Sequence, residues 1–175
     1  KFGHSLKSFQ ETVLNIHSSM EQNLLSSIIG NYPIQTDKLA VKRFGSGHIH
    51  KTYLVRTSDE SYILQEFNDK VFRYPERISA NQQVLHADLN EDELPFVLPL
   101  PIKNKDNSFF TKTNKSLFRL FPFIQGTTRD AVSKKTHASI AAEAFAFFIK
   151  GFVHTDPGQL QDSIPDFHNL ELRFQ

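Results

Sequence analysis

Apolar positions along the chain change period several times, and each change marks an element. Leu6, Phe9, Val13 and Ile16 recur at helical spacing, as do Met20, Leu24 and Ile28. Both sets predict amphipathic helix, with Gly30 and Pro33 ending the second. Tyr32 to Asp37 reads as a loop. Lys38 to Phe44, His48 to Thr57 and Tyr62 to Phe67 read as three short strands. Tight turns at Gly45–Gly47 and at the polar Ser58-Asp59-Glu60-Ser61 favour antiparallel pairing. Pro75 suits the first turn of a helix that buries Ile78, Leu85 and Leu89, carries Asn81 on the same stripe, and ends near Asn90. Phe96 to Leu100, Ser108 to Lys112 and Ser116 to Phe123 read as further strands, the last two joined as a hairpin through Thr113-Asn114-Lys115. Gly126-Thr127-Thr128 breaks the pattern. From Asp130 the chain turns helical, with Ile140, Ala144, Phe145, Phe148 and Phe152 on one buried face. Asp156-Pro157-Gly158 is a turn, and Ser163 to Gln175 shows no clear element. The expected class is α+β: an antiparallel sheet of about five strands with one helix inserted after the third, then the start of a helical region.

Composition narrows the function classes. Hydrophobic residues make up 39% and charged residues 22% of the 175 positions, a soluble globular balance. A net charge of +1 provides no field to gather nucleic acid or acidic membrane. There is no cysteine, which excludes disulfides, cysteine-ligated zinc and thiol catalysis and is compatible with the cytoplasm. No apolar run approaches the roughly 20 residues a membrane helix needs, and Lys1 to Ser19 lacks the apolar core of a signal peptide. Met20 is the only methionine, so residues 1–19 are read either as an N-terminal extension of uncertain origin ahead of a natural start at Met20, or as native chain in which Met20 is simply internal. With 17 phenylalanines and no tryptophan, ring packing accounts for much of the core.

The chemistry concentrates in Phe44-Gly45-Ser46-Gly47-His48-Ile49-His50-Lys51-Thr52-Tyr53. A phosphate cradle needs inward-pointing backbone N–H groups and no side chain blocking close approach. Gly45 and Gly47 allow that, and Ser46 adds a hydroxyl. Such glycine pairs are commonly ordinary hairpin turns, so the flanking residues decide. Phe44 to Tyr53 with Tyr62-Ile63-Leu64-Gln65 resembles the opening of the aminoglycoside phosphotransferase and choline kinase-like superfamily. The resemblance is nearest to N-acetylhexosamine 1-kinase-like sugar kinases. Leu120-Phe121-Pro122-Phe123-Ile124-Gln125-Gly126-Thr127-Thr128 resembles the family's inter-lobe hinge, and Ile164-Pro165 with Phe167-His168-Asn169 and Arg173-Phe174 adds to the likeness.

The resemblance implies a protein-kinase-like small lobe over residues 20–125, and a hinge helix with the beginning of a second lobe over 126–175. It implies ATP-dependent phosphoryl transfer to a small hydroxylated acceptor, most nearly an N-acetylhexosamine-like sugar. The phosphates would lie under Gly45, Ser46, Gly47 and His48, flanked by Ile49 and Thr52, and the base against Phe121, Pro122, Phe123 and Ile124. Where the family's third strand carries a phosphate-binding lysine, this chain has Gln65, a neutral amide donor. Asn81 is the expected partner of Gln65 on the inserted helix; the simpler reading places Gln65 on a solvent face and Asn81 as a satisfied helix polar group. The family's His-x-Asp-x-x-x-x-Asn loop and Ile-x-Asp segment, which would supply catalysis and hold the Mg²⁺ that accompanies ATP, are absent from Gly126 to Gln175. His154-Thr155-Asp156 fits three letters, but position 161 is Gln. No catalytic residue and no metal ligand is therefore assigned.

Other patterns are weaker. His48 and His50 are spaced to share one side of a strand, yet two histidines without a carboxylate fall short of a zinc site. Lys112, Lys115, Lys134 and Lys135 lack interleaved aromatics and read as solvated faces. The chain is expected to be the N-terminal part of a phosphotransferase, inactive alone. A non-catalytic nucleotide-binding or interaction module is the alternative, and a structural β-rich module with a coincidental glycine turn is a third. A hinge-helix face shaped for a second lobe would favour self-association.

Overall fold

The computed structural model describes residues 19–45, 47–89, 94–127, 131–167 and 169–174. The elements are α1 (helical over 19–29), β1 (Ala40–Arg43), β2 (Lys51–Arg56), β3 (Ser61–Phe67), α2 (Pro75–Asp88), β4 (Thr111–Lys112), β5 (Leu117–Pro122), α3 (Lys135–Gly151) and α4 (Leu170–Arg173). They fall into two compact units. The first runs up to Phe67 and includes Leu100–Phe123; the second comprises Asn68–Pro99 and Ile124–Gln175. The inserted helix α2 falls in the second unit.

The first unit is one antiparallel sheet in the order β1-β2-β3-β5-β4, backed by α1. Successive strand residues face opposite sides. Tyr53 and Val55 of β2, Tyr62 and Leu64 of β3, and Phe118 and Leu120 of β5 share one side. They pack with Leu25, Ile28 and Ile29 of α1 and with Tyr32 just beyond it. Each such side chain contributes roughly 1.5–3 kcal/mol on burial. The Tyr32 hydroxyl donates to the Phe118 carbonyl at 3.1 Å, and the Tyr53 hydroxyl donates to Glu21 at 3.1 Å, tying α1 to the sheet from both ends.

Several sequence expectations are corrected. The buried stripe of α1 is Leu25, Ile28, Ile29 and Tyr32, while Met20 and Leu24 are exposed. The strand expected from His48 begins at Lys51, so His48 to His50 belong to the loop. Phe96 to Leu100 forms no strand; the neighbouring residue Ile102 makes a single bridge to Leu120. Pro95, Pro99 and Pro101 supply no N–H to a ladder, which explains the loss. The expected helix at Leu6–Ile16 and Ser46, Thr128, Asp130 and His168 lie outside the described residues.

In the second unit, α2 opens with Pro75 in its first turn and Glu76 beside it, as the sequence indicates. Neither α2 nor α3 has a fully buried residue. Ile78, Leu85 and Leu89 are half-buried. The expected buried face of α3 is largely open: Ile140, Phe145 and Phe148 are exposed, and Phe148 packs its ring against Phe145 and Phe152. Near its end Gly151 allows Leu94 and Leu89 close approach; a Cβ there would meet Leu94 at 3.3 Å. Leu170–Arg173 forms a short helix where irregular chain was expected, capped by the Asn169 side chain accepting from the Leu172 amide.

Candidate nucleotide-binding face

The side of the sheet away from α1 carries a central polar row set among Leu54, Ile63, Phe67 and Phe121. Register places Thr52, Gln65 and Arg119 side by side across β2, β3 and β5. The Phe44 amide donates to the Thr52 carbonyl at 2.9 Å, so the residue before the glycine turn extends this row. Gly45 has φ +75°, a conformation costing other residues roughly 1–2 kcal/mol. A Cβ built on Gly45 or Gly47 meets no atom within 4 Å, so the space at these two positions is open. At the far end of β5, the Phe123 amide donates to the Ser61 carbonyl at 3.0 Å. The Phe123 ring meets Phe44 edge to face with centroids 5.9 Å apart. The glycine turn and the end of the expected hinge strand therefore share one aromatic contact.

Arg119 dominates the middle of this face. Its Nε donates to Gln65 Oε1 at 2.9 Å, and its guanidinium lies over the rings of Phe67, Phe110 and Phe121 at 4.9, 5.9 and 5.1 Å. Burial lowers its pKa to about 10. Because arginine only donates, Gln65 must turn its carbonyl to Arg119 and present its NH₂ elsewhere. His50 stacks on Phe67 with centroids 5.0 Å apart. Burial, and then the charge of Arg119, hold the His50 imidazole below its ordinary pKa.

The expected site residues divide between the two units. Gly45, Gly47, Thr52, Gln65, Phe121 and Phe123 belong to this face or its rim in the first unit, together with the exposed His48 and Ile49 and with Pro122 at the end of β5. Ser46 lies outside the described residues. Ile124 and Asn81 belong to the second unit, where Ile124 is exposed. Each of Gln65 and Asn81 has its own partner within its unit. Gln65 is engaged by Arg119, whereas Asn81 Nδ2 donates to the Gln161 carbonyl at 2.7 Å and its Oδ1 accepts from the Gln161 amide at 2.8 Å. An asparagine offers one donor and one acceptor side, and the extended backbone of Gln161 uses both. Asp156 accepts from the Gly158 amide at 2.9 Å and caps a 3₁₀ turn, in keeping with a turn rather than a catalytic role. Arg119 was missed in the sequence. The available signal was a lone charge in the apolar run Leu117-Phe118-Arg119-Leu120-Phe121 of a strand paired on both sides.

Among the described residues no group of three or more His, Asp or Glu is placed to hold a metal ion, and no helix is long and apolar enough to cross a membrane. A separate pocket of about 310 Å³ in the second unit is lined by Leu89 and Leu94–Leu98 and offers no charged group.

The chain is similar in structure to a spectinomycin phosphotransferase solved in complex with ADP and spectinomycin, with a TM-score of 0.51 and 15% sequence identity. The sheet is a kinase-like small lobe. The match covers 74% of this chain and 37% of that one, so the chain spans little more than a third of that enzyme's length. At this identity the likeness is one of fold. No protein-family profile matches the chain.

Proposed function

We propose that this chain binds ATP as the small lobe of a small-molecule phosphotransferase, with an N-acetylhexosamine-like sugar as the acceptor of the whole enzyme. The observation that carries the reading is the face itself: a positive-φ glycine, Gly45, next to Phe44 at the end of a cross-strand row that runs through Thr52 and Gln65 to Arg119. These residues suit a nucleotide. Backbone amides of Gly45 and Gly47 can approach phosphate oxygens, the Gln65 NH₂ can donate to them, and the rings of Phe121, Phe123 and Phe44 offer apolar surface to a base. Bound ATP would supply the transferable phosphoryl group. The described residues offer no ligand set for Mg²⁺, so no step is derived through the metal.

The acceptor rests on motif similarity, and the structural neighbour's ligands, ADP and spectinomycin, agree with a nucleotide and a small hydroxylated partner. A cytoplasmic site of action accords with the lack of cysteine. The exposed apolar residues of α3 favour association of the chain with itself.

Calorimetric titration with ATP and with adenosine, alongside amide chemical shifts, tests the reading. ATP is expected to bind more tightly than adenosine and to shift Gly45, Gly47 and Gln65. Absence of ATP binding, or shifts confined to residues outside the sheet, would overturn it.

A further inference from the structure

Arg119 is a half-buried cation that the described protein does not neutralise. No Asp or Glu oxygen lies within 4 Å of it among the described residues, where the one ion pair is Lys51–Glu66. Its only hydrogen bond among the described residues is the Nε contact to Gln65, and none of those residues accepts from its terminal nitrogens. Taking a guanidinium out of water without a counter-charge is costly. Stacking on Phe67, Phe110 and Phe121 offsets part of that cost. The same rings exclude water, which strengthens any anion contact formed there. The geometry also orients the neighbour: with its oxygen held by Nε, Gln65 presents its amide protons beside the arginine's terminal ones.

We infer that Arg119 and Gln65 form a phosphate-binding pair, with Arg119 supplying the positive charge for the nucleotide's polyphosphate on this sheet face. That the phosphate belongs to a nucleotide rests on the function proposed above; the anion pair rests on the cation and donors alone. Planar guanidinium donors suit two oxygens of one phosphate. The row Phe44, Thr52, Gln65, Arg119 runs from the glycine turn to this cation, the direction a polyphosphate would follow.

The test compares wild type, Arg119→Met and the double variant Gln65→Lys/Arg119→Met in binding ATP, adenosine and inorganic tripolyphosphate. Thermal unfolding confirms that each variant is folded. Arg119→Met is expected to weaken ATP and tripolyphosphate about tenfold or more while leaving adenosine unchanged, the loss of one charge-assisted contact. Gln65→Lys in the Met background returns a cation to the adjacent strand and is expected to recover part of both. As a second readout, tripolyphosphate should raise the pKa of wild-type His50, seen by NMR, because the anion offsets the arginine's charge. Tripolyphosphate bound through Arg119 without any ATP preference over adenosine would uphold the anion pair and overturn the nucleotide reading. An unchanged ATP-to-adenosine ratio in a folded Arg119→Met, or an unmoved His50, would overturn the pair while leaving nucleotide binding intact. If Arg119→Met does not fold, Arg119→Lys serves instead: it keeps the charge but loses the second donor, and equal loss of adenosine and ATP would count against the pair.

Discussion

Gln65 and Arg119 lie opposite each other on β3 and β5, and the arginine Nε donates to the glutamine oxygen at 2.9 Å. The bond fixes the polarity of the amide, since only its carbonyl can accept. Gln65→Glu would turn this contact into an ion pair and neutralise the cation in the middle of the face. Stability should rise by about 1 kcal/mol, because the half-buried guanidinium gains a counter-charge. ATP affinity should fall, because the carboxylate competes with phosphate and removes two donors. Urea unfolding and calorimetry check the two halves. A variant that is stabilised yet binds ATP as wild type would place the nucleotide elsewhere.

The two turn glycines should separate fold from ligand. Gly45 sits at φ +75°, so Gly45→Ala carries backbone strain of roughly 1–2 kcal/mol and should lower the unfolding midpoint. Gly47 has open space around its Cβ position and no positive φ. Gly47→Ala should leave stability within about 0.5 kcal/mol of wild type, yet weaken ATP by placing a methyl group where phosphate approaches. Equal ATP affinity in a stable Gly47→Ala protein would show that the ligand does not reach the turn.

How much of this was legible in the sequence follows from what each signal reports. Tyr53 to Val55, Tyr62 to Leu64 and Phe118 to Leu120 lie in short β-branched and aromatic runs bounded by turn residues, which marks strands, while apolar Leu54 and Ile63 leave the choice of face to the packing. The β-rich core and its antiparallel order were therefore readable. In α1 two apolar stripes compete, and only the sheet surface selects Leu25, Ile28, Ile29 and Tyr32 over Met20 and Leu24. Phe96 to Leu100 has strand-like side chains, but a strand also needs N–H donors, which the flanking prolines remove. Gln65 could be flagged because a strand motif pointed at it. Arg119 could not, because one charge in an apolar strand looks the same whether it faces water or a ring of phenylalanines. Asn81 was unreadable for a related reason: spacing shows that a residue is polar, while the backbone of Gln161 supplies its partners within the second unit.

Asn81 carries a purely structural expectation. Its amide holds both polar groups of Gln161, residues 80 apart in sequence, and Arg77 adds a bond from its Nη1 to the Asp162 carbonyl at 3.0 Å. Asn81→Ala removes two hydrogen bonds at once and should cost about 1–3 kcal/mol. Hydrogen exchange should report the loss at the amide of Gln161 and its neighbours first, since the segment is held there. Unchanged protection at Gln161 would mean that the clamp is not maintained in solution.

The stacked imidazole of His50 gives the fold a defined acid sensitivity. Burial against Phe67 and the charge of Arg119 both disfavour its protonated form, so its folded pKa lies below the ordinary value of 6.5. Between those two values the unfolded chain binds the proton and the folded chain does not. The stabilising contribution is therefore complete above about pH 6.5 and is lost as pH falls through the folded pKa. Arg119→Met removes the second of the two causes and leaves the first, so the NMR pKa of His50 should rise yet stay below its value in the unfolded chain. His50→Phe keeps the ring stack without a titrating group and should flatten the unfolding midpoint over this pH window. A His50 that titrates at or above 6.5 in the folded protein would show that neither the burial nor the guanidinium acts on it as described.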